Sequence, residues 1–321
     1  MFFYQQVFKA KAHRELLLAI VVMSTITFSK VYFISNAAAQ SFNLTTPRVA
    51  AMAGAGIGGS KANSALILNP AGMSAGAFYA VDANYFRTSD KANLFGINIV
   101  DSQTRYTRDR FALGIGYQTR LVDGEASAHD AQLGFSRPIS KIGNMLLLLG
   151  GSARYIYDEQ SQRDNFDINA GVMLQLSSLI SLGFVGSELL EEDHRLIGGG
   201  LSLTTKQIAV NLDYLRQLAN QQNQYRAGAE FMISDSLVLR GGYSFQPATS
   251  ANPSENQGNL LDQTSLSSTT TEDFKQWSMG LAFVGLGGGD GQLSLSYSEE
   301  VETEHSFFGI SLSTYLRMNE N

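Results

Sequence analysis

From about residue 77 onward the chain alternates apolar residues with small or polar ones in runs of about ten, each closed by a turn. Phe111, Leu113, Ile115 and Tyr117 alternate with Ala112, Gly114, Gly116 and Gln118. Trp277, Met279, Leu281 and Phe283 alternate with Ser278, Gly280, Ala282 and Val284. A period of two is that of a strand with one apolar face. Roughly 14 such runs are present, near 78–86, 94–100, 111–119, 130–136, 146–157, 166–176, 180–187, 196–204, 208–216, 224–232, 237–245, 275–284, 292–299 and 307–316. No helical stretch of useful length intervenes, which excludes parallel βαβ units.

These runs are at the low end of the length a tilted membrane strand needs, and an even number closes a barrel with both termini on one side. Short connections alternate with longer ones, as in outer-membrane barrels. The junctions at Ser177–Ser178, Lys206 and Ser234–Asp235 are short and fall at the periplasmic end. Leu121–His129, Tyr157–Asn165, Glu188–Arg195, Gln217–Asn223, Glu299–His305 and the Ser/Thr/Asn/Gln-rich Gln246–Phe274 fall outside. The Asp101–Arg110 junction is longer than its periplasmic place suggests. The last run puts Phe308, Ile310, Leu312 and Leu316 on one face after Gly309, which resembles the signal read by the barrel assembly machinery, without its terminal Phe.

A soluble sandwich would alternate too. Here the apolar faces are wide and nearly free of charge. They carry Tyr85, Tyr155, Tyr225, Tyr243 and Trp277 near their ends, as an interfacial belt requires. The opposite faces are rich in Gly, Ala and Ser. They also carry Asp82, Asn84, Arg154, Asp167, Asn169, Asp213, Arg226, Glu230 and Arg240. Charges of both signs pointing into a lumen imply ion pairs and hydrogen bonds there, because an unpaired buried charge is costly. The prediction is an all-β fold, a transmembrane antiparallel β-barrel of about 14 strands over 77–321.

The N-terminus adds a compartment. Lys9, Lys11 and Arg14 precede an apolar run from Leu16 to Phe28, and Ala37, Ala38 and Ala39 follow. That is the plan of a secretory signal peptide, with 1–39 removed on export to the bacterial outer membrane. Residues 1–39 hold four Lys/Arg and one Glu, so their loss takes the net charge from −6 to −9. An acidic chain without a basic stripe is a poor partner for nucleic acid. With no Cys at all, disulfides, thiolate metal sites and Cys nucleophiles are excluded. Only 16 % of residues are charged, against about a quarter in an average soluble domain, which agrees with a lipid-facing surface.

Residues 40–76 do not alternate. They are small, mildly apolar and rich in Gly and Ala, and Asn69-Pro70 fixes a turn. The segment reads as a compact plug in the lumen. Gly54, Gly56 and Gly59 match a dinucleotide fingerprint in form, but no strand leads into them and no βαβ unit surrounds them. The stretch Arg48…Gly54-Ala55-Gly56 with Asn69-Pro70-Ala71-Gly72 resembles the N-terminal hatch of the FadL-type outer-membrane transporter superfamily. A second stretch, Ala227-Gly228-Ala229-Glu230 and Ser234-Asp235-Ser236-Leu237-Val238-Leu239-Arg240-Gly241-Gly242-Tyr243, is similar to a hairpin of its short-loop PorV/PorQ branch. The resemblance implies a monomeric barrel with the hatch motif Asn69, Pro70, Ala71 and Gly72 in its lumen. It implies passage of hydrophobic compounds such as fatty acids. Most outer connections here are shorter than in fatty acid transporters, which favours the branch where some members are secretion accessories.

Enzymatic chemistry is not expected. His13, His129, His194 and His305 sit in no metal-spacing motif, no Gly-x-Ser-x-Gly elbow occurs, and no cofactor is implied. The acidic runs Glu188–Asp193 and Glu299–Glu302 could take divalent cations, but a solvated loop explains them. The expected partners are outer-membrane lipid and lipopolysaccharide, the assembly machinery and a hydrophobic ligand. The lumen set Asp82, Arg154, Asp167, Asp213, Arg226, Glu230 and Arg240 is expected to hold the plug. The predicted function is admission of small hydrophobic molecules past that plug. The alternative is a docking or secretion accessory without a path.

Overall fold

The computed structural model describes residues 45–102, 111–122, 125–159, 162–248, 273–286, 291–303 and 305–316. The expected signal, 1–39, lies outside them, as do most of the Asp101–Arg110 and Gln246–Phe274 connections. Fourteen strands form one closed antiparallel barrel. They are β1 Tyr79–Thr88, β2 Asn93–Asp101, β3 Ala112–Val122, β4 Glu125–Ile142, β5 Met145–Asp158, β6 Arg163–Gln175 and β7 Ile180–Ser187, followed by β8 Leu196–Thr204, β9 Ile208–Gln217, β10 Asn223–Ser234, β11 Leu237–Gln246, β12 Phe274–Leu286, β13 Gly291–Glu300 and β14 Ser306–Leu316. Each strand pairs with its neighbours in sequence, and β1 closes on β14 with Tyr79 opposite Leu316. Among the described residues no helix is long and apolar enough to cross a membrane, so any crossing is by strands.

The alternation sets which face is which. Leu133, Phe184 and Leu312 are about 60 % exposed at 61, 58 and 60 %, whereas Asp130, Ser296 and Ser298 on the other face are wholly buried. An apolar exterior over a polar interior is the pattern of a barrel bathed in lipid. At one end of the barrel outward-facing, exposed or half-buried aromatic rings pair across strands: Tyr85 with Phe95 (5.0 Å between centroids), Tyr214 with Tyr225 (5.5 Å) and Trp277 with Tyr297 (5.4 Å). Tyr155 and Tyr243 stand exposed towards the same end. This is the girdle expected where hydrocarbon gives way to headgroups.

The largest difference from the sequence reading is β4, which runs over Glu125–Ile142 instead of 130–136. Backbone ladders continue through polar residues as readily as apolar ones, so strand pairing outlasts the lipid-facing band. Most of the expected Leu121–His129 loop is therefore strand: β3 runs to Val122 and β4 begins at Glu125. At the other end β4 turns into β5 through Gly143-Asn144, where Gly143 takes φ +59°. A bulge at Pro138/Ser140 absorbs a residue that cannot donate to the ladder.

Residues 45–78 lie against the inward faces. Helix α1 (Pro47–Ala51) starts with Pro and is capped by the Thr46 hydroxyl, which accepts from Val49 N at 3.3 Å. It packs on β11–β14. Helix α2 (Ala62–Leu68) packs on β1–β3, and a 3₁₀ turn, Pro70–Ser74, packs on β4–β6. The loop between the helices faces β7–β10 through Ser181, Gly200, Asp213 and Arg226. One short segment thus touches every strand of the wall. Close approach needs small wall residues: a Cβ on Gly150 would stand 2.5 Å from the Ala71 nitrogen, so only Gly fits there.

Candidate functional site

The candidate site is the interface between residues 45–78 and the lumen wall. Even-numbered positions on β1 and odd-numbered ones on β6 and β9 face inward, which brings Asp82, Asp167 and Asp213 to the lumen. The remaining residues expected there, Arg154, Arg226, Glu230 and Arg240, also make inward contacts. They do not form one network. They divide into separate groups, each with its own task.

The first group ties α1 to β10 and β11. Glu230 lies directly opposite Arg240 in the register and accepts from its Nε at 2.8 Å. Arg48 reaches the same carboxylate with Nε at 3.2 Å and with Nη2, while its Nη1 donates to Ser64 at 3.2 Å. Arg240 also donates to Ser294 at 3.2 Å. One carboxylate between two guanidiniums is a charge-assisted pairing that fixes orientation as well as position.

The second group holds the inter-helix loop. Gly56 takes φ +140°, which turns successive N–H groups to one side. Asp213 accepts from Gly56 N at 2.6 Å and from Ile57 N at 3.0 Å. Arg226, opposite Asp213 in the register, donates to Gly54 O at 3.3 Å and to Gln224 at 2.7 Å. Ser181 donates to Gly58 O at 2.6 Å.

The third group centres on the Asn69-Pro70-Ala71-Gly72 turn. Asn69 is wholly buried. Its Nδ2 donates to Ile57 O at 3.1 Å and to Val172 O on the wall at 3.2 Å, and its Oδ1 caps the 3₁₀ turn by accepting from Ala71 N at 3.2 Å. Pro70 follows at the first helical position. Ser136 donates to Ala71 O at 2.7 Å, and Gln132 to Leu66 O at 2.8 Å. One amide therefore joins the two halves of the segment to each other and to the barrel.

The fourth group lies towards the girdled end and ties wall residues to one another. Arg154 donates to Asp130 at 2.7 Å and lies 3.5 Å from Glu188. Asp167 accepts from Ile168 N at 2.5 Å and from Leu190 N at 3.2 Å, which holds the β7–β8 connection. At Glu188 burial lifts the carboxyl above its ordinary range, against the pull of Arg154 and His194. Asp82 lies under α2 beside Asn63 and Ser313, within the field of Arg48 and Arg240 of the first group.

Asp130, Gln132, Ser136 and Ser181 were missing from the expected set. Parity carries the signal for them: on β4, positions 130, 132 and 136 share the inward face, and Asp130 and Ser136 are wholly buried. Apolar patches lie between the polar groups. Leu66 and Met73 meet Val100 and Ala112, Ala71 meets Leu148 and Met173, and Ile57 meets Val185 and Leu215.

No family model matches the chain, and no curated protein matches it in sequence. Its fold is similar to three solved barrels that it spans almost completely. A FadL homologue of Pseudomonas aeruginosa is 12 % identical with TM-score 0.56, over 86 % of this chain and 99 % of that one. The toluene transporter TodX of Pseudomonas putida is 11 % identical with TM-score 0.54, over 86 % and 99 %. The CymD monoaromatic hydrocarbon channel is 13 % identical with TM-score 0.52, over 85 % and 97 %. The chain thus has the FadL-like fold, a closed barrel of the outer-membrane type.

Proposed function

We propose that the protein is an outer-membrane channel for small hydrophobic molecules, with residues 45–78 as a detachable plug. The observation that carries the reading is the apolar lining at the interface of segment and wall. Val100, Leu148, Met173, Val185 and Leu215 face the lumen on β2, β5, β6, β7 and β9, where a water-filled pore would be polar. A cargo moving past the segment would meet these side chains as the discrete hydrogen bonds give way. The similar barrels named as a toluene transporter and a monoaromatic hydrocarbon channel support that cargo class. In this reading the chain is exported with 1–39 removed and inserted by the barrel assembly machinery. It then works as a monomer among lipid and lipopolysaccharide.

The short outer connections resemble those expected of the PorV/PorQ branch and support a second reading, a docking or secretion accessory. Uptake of a lipophilic fluorescent probe such as N-phenylnaphthylamine separates the two. Cells producing the full chain should take it up faster than cells without it, and deletion of residues 45–76 should raise uptake and bilayer conductance further. Identical uptake in all three strains refutes the channel and leaves the docking role.

A further inference from the structure

The lumen face of β1–β3 differs from the rest of the wall. Ser311, Asn84, Gly96 and Gln118 stand in one row across the sheet, and Ser313, Asp82, Asn98 and Gly116 in the next. Asn84, Asn98, Gln118 and Asp82 are 6, 0, 1 and 5 % exposed. Both amide atoms of Asn84 and of Asn98, Nε2 of Gln118 and Oδ1 of Asp82 have no hydrogen-bond partner among the described residues. Helix α2 covers this patch, with Asn63 brought beside Asp82. Below it the cluster of Ala65, Leu66, Met73, Val100 and Ala112 shuts the space off. Above it, in the next row, stands Phe86, 2 % exposed. The space left at Gly96 is methyl-sized, about that of one water: a Cβ there would be in ordinary van der Waals contact, 3.4 Å from Tyr117 O, 3.6 Å from Gln118 Cγ and 3.7 Å from Asn84 Nδ2.

The chemistry of the unmatched groups selects their ligand. A buried polar atom without a partner costs about 1–3 kcal/mol, so a cluster of them in a native barrel needs something to bind. With Asn63 of α2 counted, four are NH₂ groups, on Asn63, Asn84, Asn98 and Gln118, and four are oxygens, on Asn63, Asn84, Asn98 and Asp82. Flipping the amide of Asn84 or Asn98 exchanges its nitrogen and oxygen and leaves the balance unchanged. A cation would satisfy the oxygens and repel the NH₂ groups. An anion would satisfy the NH₂ groups and face Asp82. Only a neutral molecule that both donates and accepts serves the whole set.

We propose that β1–β3 and α2 enclose a binding site for small neutral hydrogen-bonding molecules, either a cluster of waters or a solute of the urea or polyol type. The site follows from the wall and α2 alone, whether or not residues 45–78 act as a gate. Crystals of the full-length protein, at a resolution that shows water, test it in three soaks: buffer alone, urea and rubidium chloride. The expected result is discrete density bridging Asn84, Asn98 and Gln118. Density that stays water in every soak assigns the site to a water cluster, and urea replacing it assigns a solute site. The Asn98→Leu variant, which removes a donor and an acceptor and fills space, should lose the bridging density. A rubidium anomalous peak on the Asp82, Asn84 and Asn98 oxygens would overturn the proposal. So would amides turned onto one another with nothing between them, or density unchanged in Asn98→Leu.

Discussion

Replacing Asn69 by Ala is the most informative perturbation of residues 45–78, because it removes three hydrogen bonds and little else. The lost bonds run to Ile57 O, Val172 O and Ala71 N. At about 0.5–1.5 kcal/mol net for each, the docked segment loses about 1.5–4.5 kcal/mol. Water entering the vacated space restores part of that, so the lower end applies. About 2 kcal/mol is roughly a 30-fold rise in the undocked fraction. The chain contains no Cys, so Ser60→Cys supplies a unique reporter. Ser60 is 1 % exposed and its hydroxyl has no partner among the described residues, so the exchange sacrifices no bond. In detergent micelles a maleimide reaches that thiol only when the segment leaves. The labelling rate should rise roughly 30-fold in Asn69→Ala. Asn69→Asp should exceed it, because a carboxylate oxygen would then face two carbonyls. Heat-modifiable gel mobility should persist in both, since no strand pairing depends on this side chain. A labelling rate unchanged in both variants would show that Asn69 does not hold the segment.

Three further outcomes follow from the geometry. Asp213→Ala leaves the Gly56 and Ile57 N–H groups without their carboxylate. At about 1.5–3 kcal/mol per charge-assisted bond, it should speed Ser60→Cys labelling at least as much as Asn69→Ala does. Gly150→Val should expel the 3₁₀ turn while the barrel still folds, detected as proteolysis of residues 45–76 with intact heat modifiability; protection equal to wild type would contradict the close approach. Trp277, the sole tryptophan, should be quenched by lipid-borne quenchers placed shallow in the bilayer, and quenching by aqueous iodide alone would mean that its strand faces the wrong way.

The strands and the direction of their side chains were legible because a period of two leaves a mark at every position. Their ends were not, since Glu125–His129 carries little apolar signal yet stays paired with the neighbouring strands. Likewise, parity alone brought Asp82, Asp213, Glu230 and Arg240 to the lumen. Partners across the lumen were harder. That Arg48 reaches Glu230, and Asn69 reaches Val172, depends on the path of a non-repeating segment through three dimensions. Asn69-Pro70 was readable as a turn from local chemistry. Its second task, clasping Ile57 and the wall, has no local signature.

The path of residues 45–78 also orders the assembly of the molecule. The segment is made first, yet its contacts run from β1 to β14, strands whose meeting is the last act of closing a ring. Before closure it can grip only part of the wall, so its full docking energy is released after the ring is complete. Loop-closure entropy falls on the β1–β14 pairing, while the segment stays tethered to β1 at the same seam. The nascent barrel can therefore close with its lumen open, and residues 45–78 complete their contacts with the wall as a late, local step.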